Sequence, residues 1–226
     1  MFQIKICGVT SAADARAVAE AGADCIGLNF YSGSARFLPT SRAEEVLAAI
    51  PDGLMKAGVF VNASLSEIQD IAGRLALDFV QLHGDEPPEL ISQLTGYSVI
   101  KAFRLGVEGL GPVTDYLDAC YQQAALPAMV LLDAYQPGSY GGTGKTIDWP
   151  AAREYHELGA GPALILAGGL KPDNVALAIR AVRPAAVDTA SGVESSPGQK
   201  DPTRLASFIH AARGGFAEAD QRERER

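Results

Sequence analysis

The chain has 226 residues, 47 % of them hydrophobic, and a formal net charge of −8 at pH 7. This suits one substantial core, is short for two full domains, and argues against a nucleic-acid backbone as the main partner. Cys7, Cys25 and Cys120 form no close-spaced metal motif, no apolar run reaches membrane-spanning length, and "MFQIKICGVT" lacks a signal-peptide pattern, so a cytoplasmic protein without metal or membrane partner is expected.

In chain order, short apolar runs of strand type alternate with longer runs of helical period. "FQIKIC" precedes "SAADARAVAEAGA", "CIGLNF" precedes "SRAEEVLAAI", "KAGVFV" precedes "SLSEIQDIAGRL", and "DFVQLH" precedes "EPPELISQL". "SVIKAF" then leads to "PVTDYLDACYQQA", "AMVLLD" to "WPAAREYHEL", "ALILAGG" to "PDNVALAIRAV", and "AAVDTA" to "DPTRLASFIHAA". Eight such units predict a single-domain α/β fold, a (β/α)₈ TIM barrel over residues 1–213. A doubly wound open sheet competes, but the first strand lacks the Gly-x-Gly-x-x-Gly turn of that class. The charged segment 214–226, "GGFAEADQRERER", reads as a flexible, solvated tail.

"GSYGGTGKTIDW" ends its glycines in Gly-Lys-Thr, as a nucleotide-binding loop does. The spacing fails, because the first glycine of that motif would fall on Ser139. Asp148, Trp149 and Pro150 also open a fresh helix after the Lys-Thr pair. The stretch is expected to be a loop between the sixth strand and the sixth helix, closing over the site.

Barrels of this class carry their chemistry at the C-terminal ends of the strands. Those ends are Cys7, the loop leading to Arg36, His83, Asp133, Gly168–Gly169, and Asp188 with Ser191–Gly192 beyond. Alternation along "QIKIC" turns Lys5 and Cys7 into the barrel, and Asp133 shares the inward face of its strand with Met129 and Leu131. A thiol and a carboxyl across a barrel mouth suit proton transfer. Lys5 is placed to lower the thiol's pKa, and a carboxylic acid in a partly apolar site can retain its proton. The glycines of "AGGLKPDNV" and "TASGVESS" would let backbone N–H groups approach a phosphate.

Taken together, "KICGVT", "SGSAR", "VQLHGDE", "LLDA" with "GGTGKTIDW", "LAGGLKPDNV" and "VDTASGVES" resemble the phosphoribosylanthranilate isomerase family, in family order from about Lys5 to Asp201. The resemblance implies a cofactor-independent Amadori rearrangement of a small phosphorylated substrate in tryptophan biosynthesis, performed by a monomer or a homodimer. It implies Asp133 as general acid, Cys7 as base, Arg36 as partner of a substrate carboxylate, and Asp188 near the ribose hydroxyls. His83 is expected at the mouth, as a ligand contact or a structural hydrogen-bonding residue. Ala35 stands where the family commonly has proline, and Ile147 where it has phenylalanine. A histidine-pathway aminoaldose isomerase is the nearest alternative, though that chemistry is associated with aspartate where Cys7 stands. A non-catalytic phosphosugar-binding barrel would have no chemical need for both Cys7 and Asp133.

Overall fold

In the computed structural model, which describes residues 1–134, 146–159 and 161–225, each strand-type run becomes a parallel strand. These are β1 (Ile4–Cys7), β2 (Cys25–Asn29), β3 (Met55–Phe60), β4 (Phe79–Leu82), β5 (Ser98–Leu105), β6 (Met129–Ala134), β7 (Ala163–Leu166) and β8 (Ala186–Thr189). Each strand pairs with the next in sequence, and β8 returns to β1, which closes the barrel. Lys5 sits opposite Asp188 at this closure, while Cys7 sits opposite Gly27 on the other side of β1.

Between the strands run α1 (Ala12–Glu20), α2 (Thr40–Leu47), α3 (Leu65–Arg74), α4 (Pro88–Gln93), α5 (Gly111–Gln122), α6 (Trp149–Arg153, followed by a 3₁₀ turn over Glu154–Leu158), α7 (Val175–Val182) and α8 (Pro202–Arg224). Side chains that accept from orphan N–H groups of the first turn start several of them. Ser11 accepts from Asp14, Ser64 from Glu67, and Asp148 from Ala151. No helix among the described residues is long and apolar enough to cross a membrane. The glycine-rich stretch expected to close over the site lies, as far as Lys145, outside the described residues.

Strand alternation sorts the apolar side chains into two cores. Ile4, Ile6, Val80, Leu82, Val130 and Leu132 pack outward beneath the helices. Phe2, Phe79, Ile100, Met129, Leu131 and Ile165 fill the barrel interior. The inward positions nearer the strands' C-terminal ends are polar instead: Lys5, Gln81, Asp133 and Asp188 are all buried. A packed apolar floor thus carries a polar upper layer. Cys25 lies in the floor and Cys120 is buried on α5, both as packing residues.

One expectation is corrected. The segment from Gly214 is helical rather than an irregular tail, since α8 continues through it to Arg224, although most of its described residues beyond Phe216 are exposed to solvent. Phe216 is buried, and Gly215 lies so close to α7 that an added Cβ would stand 3.0 Å from Ala176 Cα. Burying one phenylalanine contributes about 1.5–3 kcal/mol, enough to hold a helical turn that two glycines weaken. His156 is exposed, and its Nε2 makes a 2.9 Å hydrogen bond with the Val182 carbonyl.

Beyond β8 comes a feature that periodicity did not announce. A 3₁₀ turn (Ser191–Val193) leads into a small antiparallel hairpin of β9 (Glu194–Ser196) and β10 (Gln199–Lys200). It places two charged side chains against the mouth of the barrel.

Candidate active site

β1 brings Lys5 and Cys7 to the inner wall. Lys5 is fully buried, and its Nζ donates to Asp188 Oδ1 at 2.9 Å. Burial works against its charge, but Asp188, Cys7 and Cys25 together outweigh that and raise its pKa. Lys5 is therefore a fixed cation beside the thiol. Cys7 is half-buried, and the glycine across from it is required by space: a Cβ at Gly27 would lie 2.7 Å from Cys7 Sγ. The sequence led to the expectation that Lys5 lowers the thiol's pKa. Its pull is in that direction, with help from Lys200, yet burial is the larger effect and Asp188 adds to it, so the Cys7 pKa is raised.

The Arg36 side chain crosses directly over the backbone after Cys7, where a Cβ on Gly8 would meet its Cδ at 2.4 Å. Its guanidinium is held as a fork, Nε to Glu194 Oε1 at 2.8 Å and Nη2 to Oε2 at 2.7 Å. Lys200 Nζ reaches the same carboxylate at 2.8 Å and also donates to the carbonyl oxygen of Cys7 at 2.6 Å. Glu194 is mostly buried, which disfavours its charge, but the bonds from Arg36 and Lys200 win and its pKa is lowered. Two cations against one carboxylate leave a net positive charge beside the thiol, suited to a ligand carboxylate.

The opposite wall carries the carboxyl group. Asp133 Oδ1 accepts from the N–H of Ala134 at 2.8 Å, which fixes its rotamer. Oδ2 lies 3.5 Å from His83 Nε2, and His83 Nδ1 lies 2.8 Å from Gln81 Nε2. The turn after β4 that carries His83 is braced from outside the barrel. Glu86 accepts from the N–H groups of Asn62 and Gly84, and the buried Lys101 donates to Glu86 at 2.7 Å.

At the ends of β7 and β8, Gly168 and Gly169 adopt φ of 81° and 66°. Gly192 is packed against the neighbouring loop, where a Cβ would stand 1.9 Å from Leu170 O. The N–H groups of Gly169, Ser191 and Gly192 find no acceptor among the described residues, leaving adjacent donors free for an anion. Gly192→Ala is expected to destabilise the fold by about 1–3 kcal/mol through this collision. It is also expected to abolish the rise in melting temperature that inorganic phosphate gives the unaltered protein; an undiminished rise would remove Gly192 from the phosphate loop.

The residues singled out from sequence thus gather at one end of the barrel. Lys5, Cys7, Arg36 and Asp188 lie on the β1, β2 and β8 side, His83 and Asp133 on the β4 and β6 side, and the glycines beyond β7 and β8. Sequence reasoning missed Gln81, Glu194 and Lys200. Gln81 and Glu194 lie inside motifs that drew attention, but nothing local shows that Gln81 points inward beneath His83 or that Glu194 meets an arginine 158 positions away.

Residues 4–211 match the family model of N-(5'-phosphoribosyl)anthranilate isomerase. A curated relative of that name from Geobacter sulfurreducens is 44 % identical over 215 residues, covering 95 % of this chain and all of that one. The crystal structure of phosphoribosyl anthranilate isomerase from Thermotoga maritima superimposes with a TM-score of 0.83 at 37 % identity, over 95 % of this chain and all of that one. A structure of such an isomerase in complex with reduced 1-(o-carboxyphenylamino)-1-deoxyribulose 5-phosphate gives 0.80 at 36 % identity, over the same shares. With a matching barrel and matching motifs along nearly its whole length, the chain belongs to the N-(5'-phosphoribosyl)anthranilate isomerase family.

Proposed function

We propose that the chain converts N-(5'-phosphoribosyl)anthranilate to 1-(2-carboxyphenylamino)-1-deoxyribulose 5-phosphate, the Amadori step of tryptophan biosynthesis in the cytosol. The observation that carries this reading is one barrel mouth holding a thiol, a carboxyl group, a net-positive arginine site and backbone amides without an acceptor among the described residues. The substrate has matching parts: a C2–H to be removed, a ring oxygen to be protonated, an aryl carboxylate and a phosphate.

Asp133, in its protonated form, gives its proton to the furanose ring oxygen. The C1–O bond breaks and the anilino nitrogen's lone pair forms the C1=N bond, so the ring opens to a protonated Schiff base. Cys7, as thiolate, then takes the proton from C2, and the freed electron pair moves toward nitrogen to give an enolamine. Gain of a proton at C1 and loss of one from the C2 hydroxyl complete the ketone, so no proton is gained or lost overall. Lys5 steadies the thiolate during the second step. Arg36, oriented by Glu194, takes the anthranilate carboxylate. Asp188, with Oδ1 on Lys5, takes the ribose hydroxyls. The amides of Gly168, Gly169, Ser191 and Gly192 take the phosphate. His83, next to Asp133, acts through the acid rather than on the substrate. Such an enzyme works as a monomer or a homodimer; the Thermotoga maritima protein is described as dimeric, and a crystal structure of monomers generated from it exists.

The test follows the fluorescence of freshly made N-(5'-phosphoribosyl)anthranilate with the unaltered chain, without metal or nucleotide. Rapid loss above the uncatalysed decay is expected. No turnover by a protein shown to be folded would overturn the reading and leave a phosphosugar-binding barrel.

A further inference from the structure

Gln81 is fully buried, pointing into the barrel from β4 between Phe79 in the apolar floor and His83 at the mouth. A buried side-chain amide is ordinarily pinned at both ends, because leaving either end without a partner costs about 1–3 kcal/mol. Here only one end is used. Nε2 meets His83 Nδ1, while Oε1 is buried without a partner among the described residues. His83 Nε2 is likewise buried without a hydrogen-bond partner among the described residues, with Asp133 Oδ2 at 3.5 Å. Among the described residues the amide's one hydrogen-bond partner is thus His83 Nδ1, and the other nitrogen of His83 has the acid beside it.

We propose that Gln81 and His83 form a proton-tracking chain behind Asp133, in which the amide turns over and the imidazole changes tautomer as the carboxyl group gains or loses its proton. When Asp133 is a carboxylate, His83 carries its proton on Nε2 and directs it at Oδ2, and Nδ1 accepts from the Gln81 amino group. When Asp133 is a carboxylic acid, it donates to Nε2; the imidazole proton is then on Nδ1 and is donated to Gln81 Oε1. The imidazole is neutral in both arrangements, so the only proton added between them is the one on Asp133. Reprotonation is balanced when solvent water, as the proton source, delivers one proton to Nδ1 while the Nε2 proton passes to Oδ2 and the amide turns from donor to acceptor. A fixed partner at position 81 would favour one state of the acid; an amide free to turn supports both, as a group that must give up a proton and recover it each cycle requires. In this role Gln81 is a positioning residue.

The other charged groups nearby are engaged. Arg104, opposite Asp133 on β5, donates to Asp85 at 2.7 Å, and Lys101 on the outer face of β5 is held by Glu86. Across the barrel, Lys5 and Asp188 hold each other.

This inference rests on Asp133 being the acid of the proposed reaction. Two measurements separate its failure from that of the reaction. The first is ¹⁵N NMR of histidine-labelled protein, with His83 assigned by loss of its signals in His83→Asn. In the unaltered protein the His83 tautomer is expected to switch with pH together with the ¹³C signal of the Asp133 carboxyl group, and in Gln81→Glu the imidazole proton is expected to stay on Nδ1. The second is the kcat profile of Gln81→Glu. A carboxylate at 81 can only accept, so it holds the Nδ1–H form, turns the Nε2 lone pair toward Asp133, and moves the alkaline limb to higher pH by about one unit. A limb that moves without a locked tautomer would reduce the effect to added charge and overturn the proposal. So would a His83 tautomer that never changes, or an unmoved limb in folded Gln81→Glu. If Asp133→Asn kept full activity, the acid assignment would fall instead, and with it the catalytic meaning of the chain, even where the tautomer switch itself is seen.

Discussion

Asp133→Asn is expected to lower kcat by about 10²–10⁴, with the melting temperature nearly unchanged. The substitution is close to isosteric, and the asparagine carbonyl oxygen can still accept from the N–H of Ala134, as Oδ1 does at 2.8 Å in the unaltered protein. What is lost is an acidic proton, since an amide N–H is far too weak an acid to protonate a ring oxygen. Binding of substrate or a product analogue is expected to stay close to that of the unaltered protein, because the carboxylate and phosphate sites lie on other strands. The comparison needs kcat from the fluorescence decay beside a thermal melt of the same sample. A loss under about tenfold would remove Asp133 from the acid role, since a positioned acid contributes more than that.

Cys7→Ala is expected to cost a similar factor, about 10²–10⁴, and its signature lies in the pH profile. Burial and the Asp188 charge favour the neutral thiol over the thiolate, and Lys5 and Lys200 only partly offset them. Because the pKa is raised, the thiolate is the minor form near neutrality and its share grows as pH increases. With the acid removed, the thiol's titration stands alone: the residual kcat/KM of Asp133→Asn is expected to climb with pH through neutrality, and that of the double variant with Cys7→Ala to lack the climb. A profile flat from pH 6 to about 9 in Asp133→Asn would argue against a raised thiol as the base. The double variant is expected to lose less than the product of the two factors. Ring opening and C2 deprotonation are successive steps, and a chain already stalled at one loses little more at the other.

Much of this arrangement was legible because period two is an unambiguous signal. The parity of Ile4 and Ile6 against Lys5 and Cys7 fixed which side chains face inward, and so did Met129, Leu131 and Asp133. Eight alternations of strand and helix implied closure, and closure placed the strand ends on one rim. Illegible were the relations that need two distant segments at once. Arg36 reads as a free ligand site until Glu194 is seen to fill one edge of its fork. The effect of Lys5 on Cys7 could be read in sign, but not weighed against burial and against an aspartate 183 positions away. Past Arg213, two glycines and a charged run looked like a stop. The packing of Gly215 and Phe216 on α7 overrides that local preference, and the alanine, glutamate and arginine that follow are good helix formers once the turn is held.

The closure of β1 by β8 also has a meaning in time. A ribosome delivers Lys5 and Cys7 almost at once, yet the counter-ion of Lys5 is made 183 residues later. At ordinary elongation rates that interval is on the order of ten to forty seconds. Throughout it the first strand has one open edge and a cation that no folded interior can accept. The nascent chain therefore cannot finish the wall that bears its thiol until Asp188 has emerged. The Cys7 carbonyl waits slightly longer still, for Lys200.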